Sequence, residues 1–174
     1  TILSDNTNSG PDFKNPTHMA LDTAGNRLLV VDSQNSLEQI IGVNLVTGAK
    51  TALSDNTMAG DVTFEYPTGI DFDGITGKCW VMDAYYDAVL EVNLQTGYRT
   101  IISDAITGSG IEFDNPVDLA LDKVNNRLLV TDGFLSALIE VDLSTGNRMI
   151  LSDPFTGYGN YFRSPKGIVY NAAL

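Results

Sequence analysis

One pattern recurs along the chain at intervals of 49 to 50 residues, and it constrains the fold more than any other feature. Ser-Asp stands at Ser4-Asp5, Ser54-Asp55, Ser103-Asp104 and Ser152-Asp153. A phenylalanine with proline three residues later follows each time: Phe13/Pro16, Phe64/Pro67, Phe113/Pro116 and Phe162/Pro165. Six residues past each proline sits Asp22, Asp73, Asp122 or Asn171, and ten further on come Asp32, Asp83 and Asp132. A Thr-Gly pair then closes each unit at Gly48, Gly97 and Gly146, with Lys50, Arg99 and Arg148 two residues beyond. Self-similarity at this period marks an array of supersecondary units, each burying its apolar face against its neighbours.

Each unit reads as four short strands. The first strands are expected at 18–21, 69–72, 118–121 and 167–170, and the second at 27–31, 78–82 and 127–131. The third are expected at 39–45, 88–94 and 137–143, and the fourth at 51–53, 100–102 and 149–151, with 1–3 as an orphan copy. Val89-Leu90-Glu91-Val92-Asn93-Leu94 alternates with period two, the mark of a half-buried strand, whereas Leu28-Leu29-Val30-Val31 is a continuous apolar run suited to burial on both faces. Ala24-Gly25-Asn26 and Val124-Asn125-Asn126 can adopt the positive φ of a tight hairpin, and Gly48, Gly97 and Gly146 supply a left-handed residue between third and fourth strands. No useful helical stripe is present. The predicted fold is all-β: a β-propeller of four-stranded antiparallel blades.

The pattern Pro-x-x-(apolar)-x-(apolar)-Asp, then a basic residue, an apolar run and Asp, then (apolar)-x-(Asn/Asp)-Leu-x-Thr-Gly-x-(Arg/Lys), resembles the repeats of the NHL, YWTD and SMP-30/gluconolactonase-like six-bladed propellers. Cys79-Trp80-Val81-Met82-Asp83 is loosely similar to the YWTD tetrapeptide. The resemblance covers the whole chain and speaks for architecture, because such folds host lactonases, lyases, receptors and scaffolds alike.

About three and a half blades are present in a single propeller segment, 1–174. The blade repeats run about 17–53, 67–102 and 117–151, with an orphan outer strand at 1–3 and an orphan inner strand at 166–170. Propellers usually close with four to eight blades. Three blades would leave unpaired strand edges, an aggregation liability. The expectation is therefore a part of a longer propeller, with self-association of two or more chains into one ring as the alternative.

Charge narrows the partners. With 22 acidic residues against 10 basic ones the formal net charge is -12, so nucleic acid is not an expected partner. No apolar run approaches the ~18 residues of a membrane span. A single cysteine, Cys79, excludes an internal disulfide, and with one histidine there is no His-rich metal cluster. The acidic composition without disulfides suits an extracellular or periplasmic bacterial-type protein. No Gly-x-Ser-x-Gly, P-loop or dinucleotide fingerprint occurs.

Six regular aspartates (Asp22, Asp73, Asp122, Asp32, Asp83, Asp132) are expected to be structural, because a carboxylate at a strand end can accept amides of its own turn. The phenylalanines are expected to plug the gaps between blades. Loops 5–16, 55–67, 104–116 and 153–165 are expected to form a rim that carries binding. Calcium is a further reading there, since oxygen ligands are plentiful, although no EF-hand spacing exists.

Positions that differ between blades mark candidate sites. Two residues past each proline stand His18, Gly69, Asp118 and Gly167, and two further on Ala20, Asp71, Ala120 and Val169. His18, Asp71 and Asp118 are expected to face one channel mouth. Tyr85 and Tyr86, in a loop between second and third strands, offer rings that can stack on sugars or peptides. The leading expectation is a non-catalytic recognition or scaffold module, without a required cofactor, binding a protein, small molecule or glycan through rim loops. The alternative implied by the resemblance is a divalent-metal-dependent lactonase, hydrolase or lyase of SMP-30-like type. Its site would be His18, Asp71 and Asp118, with Asp71 and Asp118 as metal candidates. Such lactonases hold their ion with a glutamate on an early inner strand, and no inner strand here carries one.

Overall fold

The computed structural model describes residues 2–33, 37–58, 62–160 and 162–171. Twelve strands fall into three consecutive groups. Blade one contains β1 (Pro16–Asp22), β2 (Arg27–Asp32), β3 (Gln39–Asn44) and β4 (Lys50–Asp55). Blade two contains β5 (Pro67–Asp73), β6 (Lys78–Asp83), β7 (Ala88–Val92) and β8 (Arg99–Ser103). Blade three contains β9 (Pro116–Asp122), β10 (Arg127–Asp132), β11 (Ala137–Asp142) and β12 (Arg148–Ser152). Each group is one four-stranded sheet in chain order, paired antiparallel throughout. These are propeller blades, and the ring they begin is not closed.

The turns form where the residues allow. Asn26 and Asn126 adopt φ of 48° and 52°, and Gly48, Gly97 and Gly146 adopt 71° to 77°. Asn44 Oδ1 accepts the amides of Val46 and Thr47, and Asn93 and Asp142 do the same in the other two blades. The aspartates are structural as expected. Asp32, Asp83 and Asp132 are fully buried and each accepts amides from the loop that precedes its own blade: Lys14 and Asn15, Glu65 and Tyr66, and Asp114.

The core lies between blades. Leu29, Val31 and Ile40 of blade one meet Cys79, Val81, Leu90 and Val92 of blade two, with Phe64 among them. Trp80, Met82 and Val89 of blade two meet Leu128, Val130, Ile139 and Val141 of blade three around Phe113. Each such side chain contributes roughly 1.5–3 kcal/mol when fully buried. Cys79 is a buried filler, and burial pushes its thiol pKa up.

Every junction repeats one device. Ser54 Oγ, at the end of blade one, donates to the Gly97 carbonyl of blade two at 2.8 Å, and Ser103 does the same to Gly146 at 2.7 Å. Arg99 reaches back to the Asp55 carbonyl and lies 4.4 Å from the Phe64 ring centroid. Arg148 does so to Asp104, 5.4 Å from Phe113. At the front, Ser4 donates to the Gly48 carbonyl and Lys50 binds the Asp5 carbonyl over Phe13.

The flanks differ from expectation. Neither residues 2–3 nor residues 166–170 form a strand, and Thr1 lies outside the described residues. An outer strand pairs only with the third strand of its blade, and an inner strand only with the second. Among the described residues neither partner stands beside these segments.

Candidate functional site

The inner strands β1, β5 and β9 lie side by side and carry the residues that break the repeat. Their approach is close. A Cβ at Gly69 would stand 2.6 Å from Asp118 Oδ1 and 2.8 Å from the Leu119 nitrogen, so only glycine fits on β5 there. The strands and segment 166–171 line a groove of about 260 Å³ that includes His18, Met19, Asp71, Asp118, Val169 and Tyr170. The three candidates His18, Asp71 and Asp118 are thus brought to one groove.

Their chemistry is partly spent on the fold. Asp71 Oδ2 accepts the Leu121 amide of the next inner strand at 2.7 Å, while Oδ1 takes the amide of Phe72. Asp118 Oδ2 accepts the Ile168 amide at 3.0 Å, and Oδ1 takes that of Leu119. Asp71 therefore latches β5 to β9, and Asp118 latches β9 to the non-strand segment 166–171. Desolvation raises the pKa of both, against the lowering effect of these amides and, for Asp118, of His18. His18 Nε2 stands 3.9 Å from Asp118 Oδ2, beyond a direct hydrogen bond, and its Nδ1 is buried without a partner. No proton passes directly between them in this arrangement. Among the described residues no three His, Cys, Asp or Glu side chains are grouped as a metal-binding set.

Tyr85 and Tyr86 do not line this groove. They sit in the turn between β6 and β7, beside Glu65 and Tyr66, which lead into β5. One carboxylate builds that corner: Asp83 accepts the amides of Glu65, Tyr66, Tyr85 and Tyr86. The two rings meet edge to face, centroids 5.3 Å apart at 84°. Tyr86 OH bonds Thr63 Oγ1 at 3.1 Å, which fixes its ring. Tyr85 is 69% exposed and Tyr86 41%. Tyr66 and Phe134 are also exposed.

Sequence reasoning singled out these five residues but missed two features. The latches of Asp71 and Asp118 are invisible in the pattern, because their partners are backbone amides. Trp80, only 3% exposed, stands where the other blades have Leu29 and Leu129, and its indole N–H has no partner. The signal for it was the break in the repeat.

No protein-family model matches the chain, and no curated protein matches it. Solved structures do. One is a nidogen/laminin complex, whose matched chain is 20% identical with a TM-score of 0.69, covering 92% of this chain and 54% of that one. A second is a Bacteroides thetaiotaomicron structural-genomics protein of unknown function, 16% identical with a TM-score of 0.69, covering 89% and 42%. A third is described as the extracellular domain of a hybrid two-component system from B. thetaiotaomicron, 16% identical with a TM-score of 0.56, covering 82% and 18%. The likeness is one of fold: consecutive four-stranded antiparallel propeller blades. This chain spans about half the length of the first two structures it matches. Among the described residues no helix is long and apolar enough to cross a membrane.

Proposed function

We propose that the chain is part of a non-catalytic propeller recognition module that binds a protein or glycan through its rim, in an extracellular or periplasmic setting. The observation that carries this reading is the Tyr85–Tyr86 corner. Two rings are held out of the blade at a corner where the amides of Tyr85 and Tyr86 in the turn, and of Glu65 and Tyr66 ahead of β5, converge on the one buried carboxylate of Asp83. Aromatic faces fixed in this way lose little conformational freedom on binding and supply large contact area. The extracellular setting is supported by fold neighbours that include a nidogen/laminin complex and an extracellular domain.

The test uses two defined probes: a set of neutral oligosaccharides and a random peptide-display library, each screened against the intact chain. Binders selected on the chain are expected to weaken at least ~10-fold, about 1.4 kcal/mol, on Tyr85→Ala or Tyr86→Ala, with unfolding unchanged. Binders that ignore both substitutions but weaken on His18→Ala would move the site to the channel groove and overturn the rim reading.

A further inference from the structure

We infer that the gap between blades two and three holds a binding site for one neutral sugar ring. It is separate from the Tyr85–Tyr86 corner and does not rest on the rim reading. Lys78 opens β6, and Asp83, the anchor of that corner, closes it. The cavity lies toward the Lys78 end.

The site starts from a break in the repeat. Residues directly opposite one another in antiparallel strands share a face of the sheet. Asp71, Trp80 and Glu91 form one such row across β5, β6 and β7. The same row reads Ala20, Leu29 and Gly42 in blade one, and Ala120, Leu129 and Glu140 in blade three. Blade two thus carries an indole where its two neighbours carry leucine. Trp80 is 3% exposed, and its N–H has no acceptor within the protein. A buried donor left unpaired is costly, and a leucine would avoid that cost. An acceptor that the chain itself does not supply accounts for the indole.

Trp80 lines a cavity of about 250 Å³, with Leu121 and Leu143 contributed by blade three. Trp80 and Asp73 are buried, whereas the side chains of Lys78 and Lys123 are 52% and 46% exposed and stand at the mouth. An apolar floor with one donor and a polar mouth is the layout of small-molecule sites. The volume falls below the ~300–1,000 Å³ typical of drug-sized ligands, which limits the occupant to about one ring.

Charge selects the class of ligand. Lys78 Nζ pairs with Glu91 Oε2 at 2.9 Å, and Lys123 Nζ pairs with Asp73 Oδ1 at 2.6 Å. These four ionic groups cancel. Asp73 also accepts the Ile75 amide and the Thr76 hydroxyl, so both its oxygens are engaged. A charged ligand has to break one of the pairs, and an anion also meets the chain's net charge of -12. Sugar hydroxyls leave both pairs standing. They accept the indole N–H and ammonium protons, and they donate to Glu91 or to Ser144 Oγ. The C–H face of the ring rests on Leu121, Leu143 and the indole.

The chain has one tryptophan, so its emission reports on this cavity. The test titrates the intact chain with glucose, galactose, mannose and N-acetylglucosamine, and with glycine and glutamate as charged controls. At least one sugar is expected to shift Trp80 emission saturably, with both controls silent. Glu91→Ala is expected to weaken that sugar at least ~10-fold, and Trp80→Phe to do the same when the sugar is followed by saturation-transfer NMR. Glu91 is only partly buried, so its variant gives a reading even where a Trp80 variant fails to fold. Tyr85→Ala is expected to leave the affinity unchanged. No saturable response to any of the sugars at tens of millimolar would overturn the proposal. So would a response to glycine or glutamate alone, or sugar binding that ignores Glu91→Ala and Trp80→Phe. Sugar binding lost only on Tyr85→Ala would place the sugar at the rim corner, which favours the rim reading and refutes this one.

Discussion

The four phenylalanines of the repeat share one motif but not one environment, so truncating each measures how far the ring extends. Phe64 is fully buried among Leu29, Ile40, Val81 and Leu90, with the Arg99 guanidinium 4.4 Å from its ring centroid. Removing such a ring costs about 3–5 kcal/mol, which includes the lost cation–π contact. For a chain of this size that lowers Tm by about 6 to 20 °C. Phe113, with Arg148 over it, is expected to behave alike. Phe13 is half-buried over Lys50 and its loss should cost less. Phe162, at 43% exposure, meets no opposing blade among the described residues, and its loss should cost under ~1 kcal/mol. The assay is urea unfolding of Phe13→Ala, Phe64→Ala, Phe113→Ala and Phe162→Ala, followed by circular dichroism and by the fluorescence of the single tryptophan. A Phe162→Ala variant as destabilised as Phe64→Ala would refute the reasoning, since it would mean that loop 153–165 is already packed against a blade.

Asp71→Ala orphans the Leu121 amide and should cost about 1–3 kcal/mol, with faster exchange at Leu121; unchanged exchange there would show that the latch does not operate. Trp80→Phe removes a buried donor that has no partner and should be neutral within about 1 kcal/mol, whereas a loss of about 2 kcal/mol or more in urea unfolding would reveal a bonded N–H. Burial raises the pKa of Asp73 but is outweighed by bonds from Lys123, Thr76 and the Ile75 amide, which leave it at about 2; Asp122 reaches about 2 in the same way through Asn125 and Arg127. Both values lie below the ordinary carboxylate value. Their stabilisation is therefore full above pH ~4 and lost as pH falls towards 2. Lys123→Met should move the acid-unfolding midpoint upward, and an unmoved midpoint in a circular-dichroism titration would contradict this.

The architecture was legible because a propeller repeats. Strand order, the turn glycines, the phenylalanine plugs and the structural aspartates each recur at one spacing, and a recurring position must serve every blade. Lys50, Arg99 and Arg148 were visible as a pattern without a role, because their partners are carbonyl groups of the preceding loop and a ring across the junction. Residues 1–3 and 166–170 carried strand composition, but a strand needs a neighbour, and composition does not report one. The candidate site was legible as a set of exceptions. His18, Asp71 and Asp118 do share a groove. Their spending of oxygens on the Leu121 amide of β9 and the Ile168 amide of segment 166–171 was not readable, since any residue type supplies an amide.

Hydrogen exchange across the inner strands tests the open ring most directly. Amides bonded within β5 and β9 are expected to be strongly protected. In segment 166–171 the Ile168 amide, held by Asp118, should be partly protected, while Val169 and Tyr170 exchange close to the rate of an unfolded chain. Protection throughout 166–171 equal to that of β9 would mean that a strand already pairs with it, and would contradict an open ring of three blades.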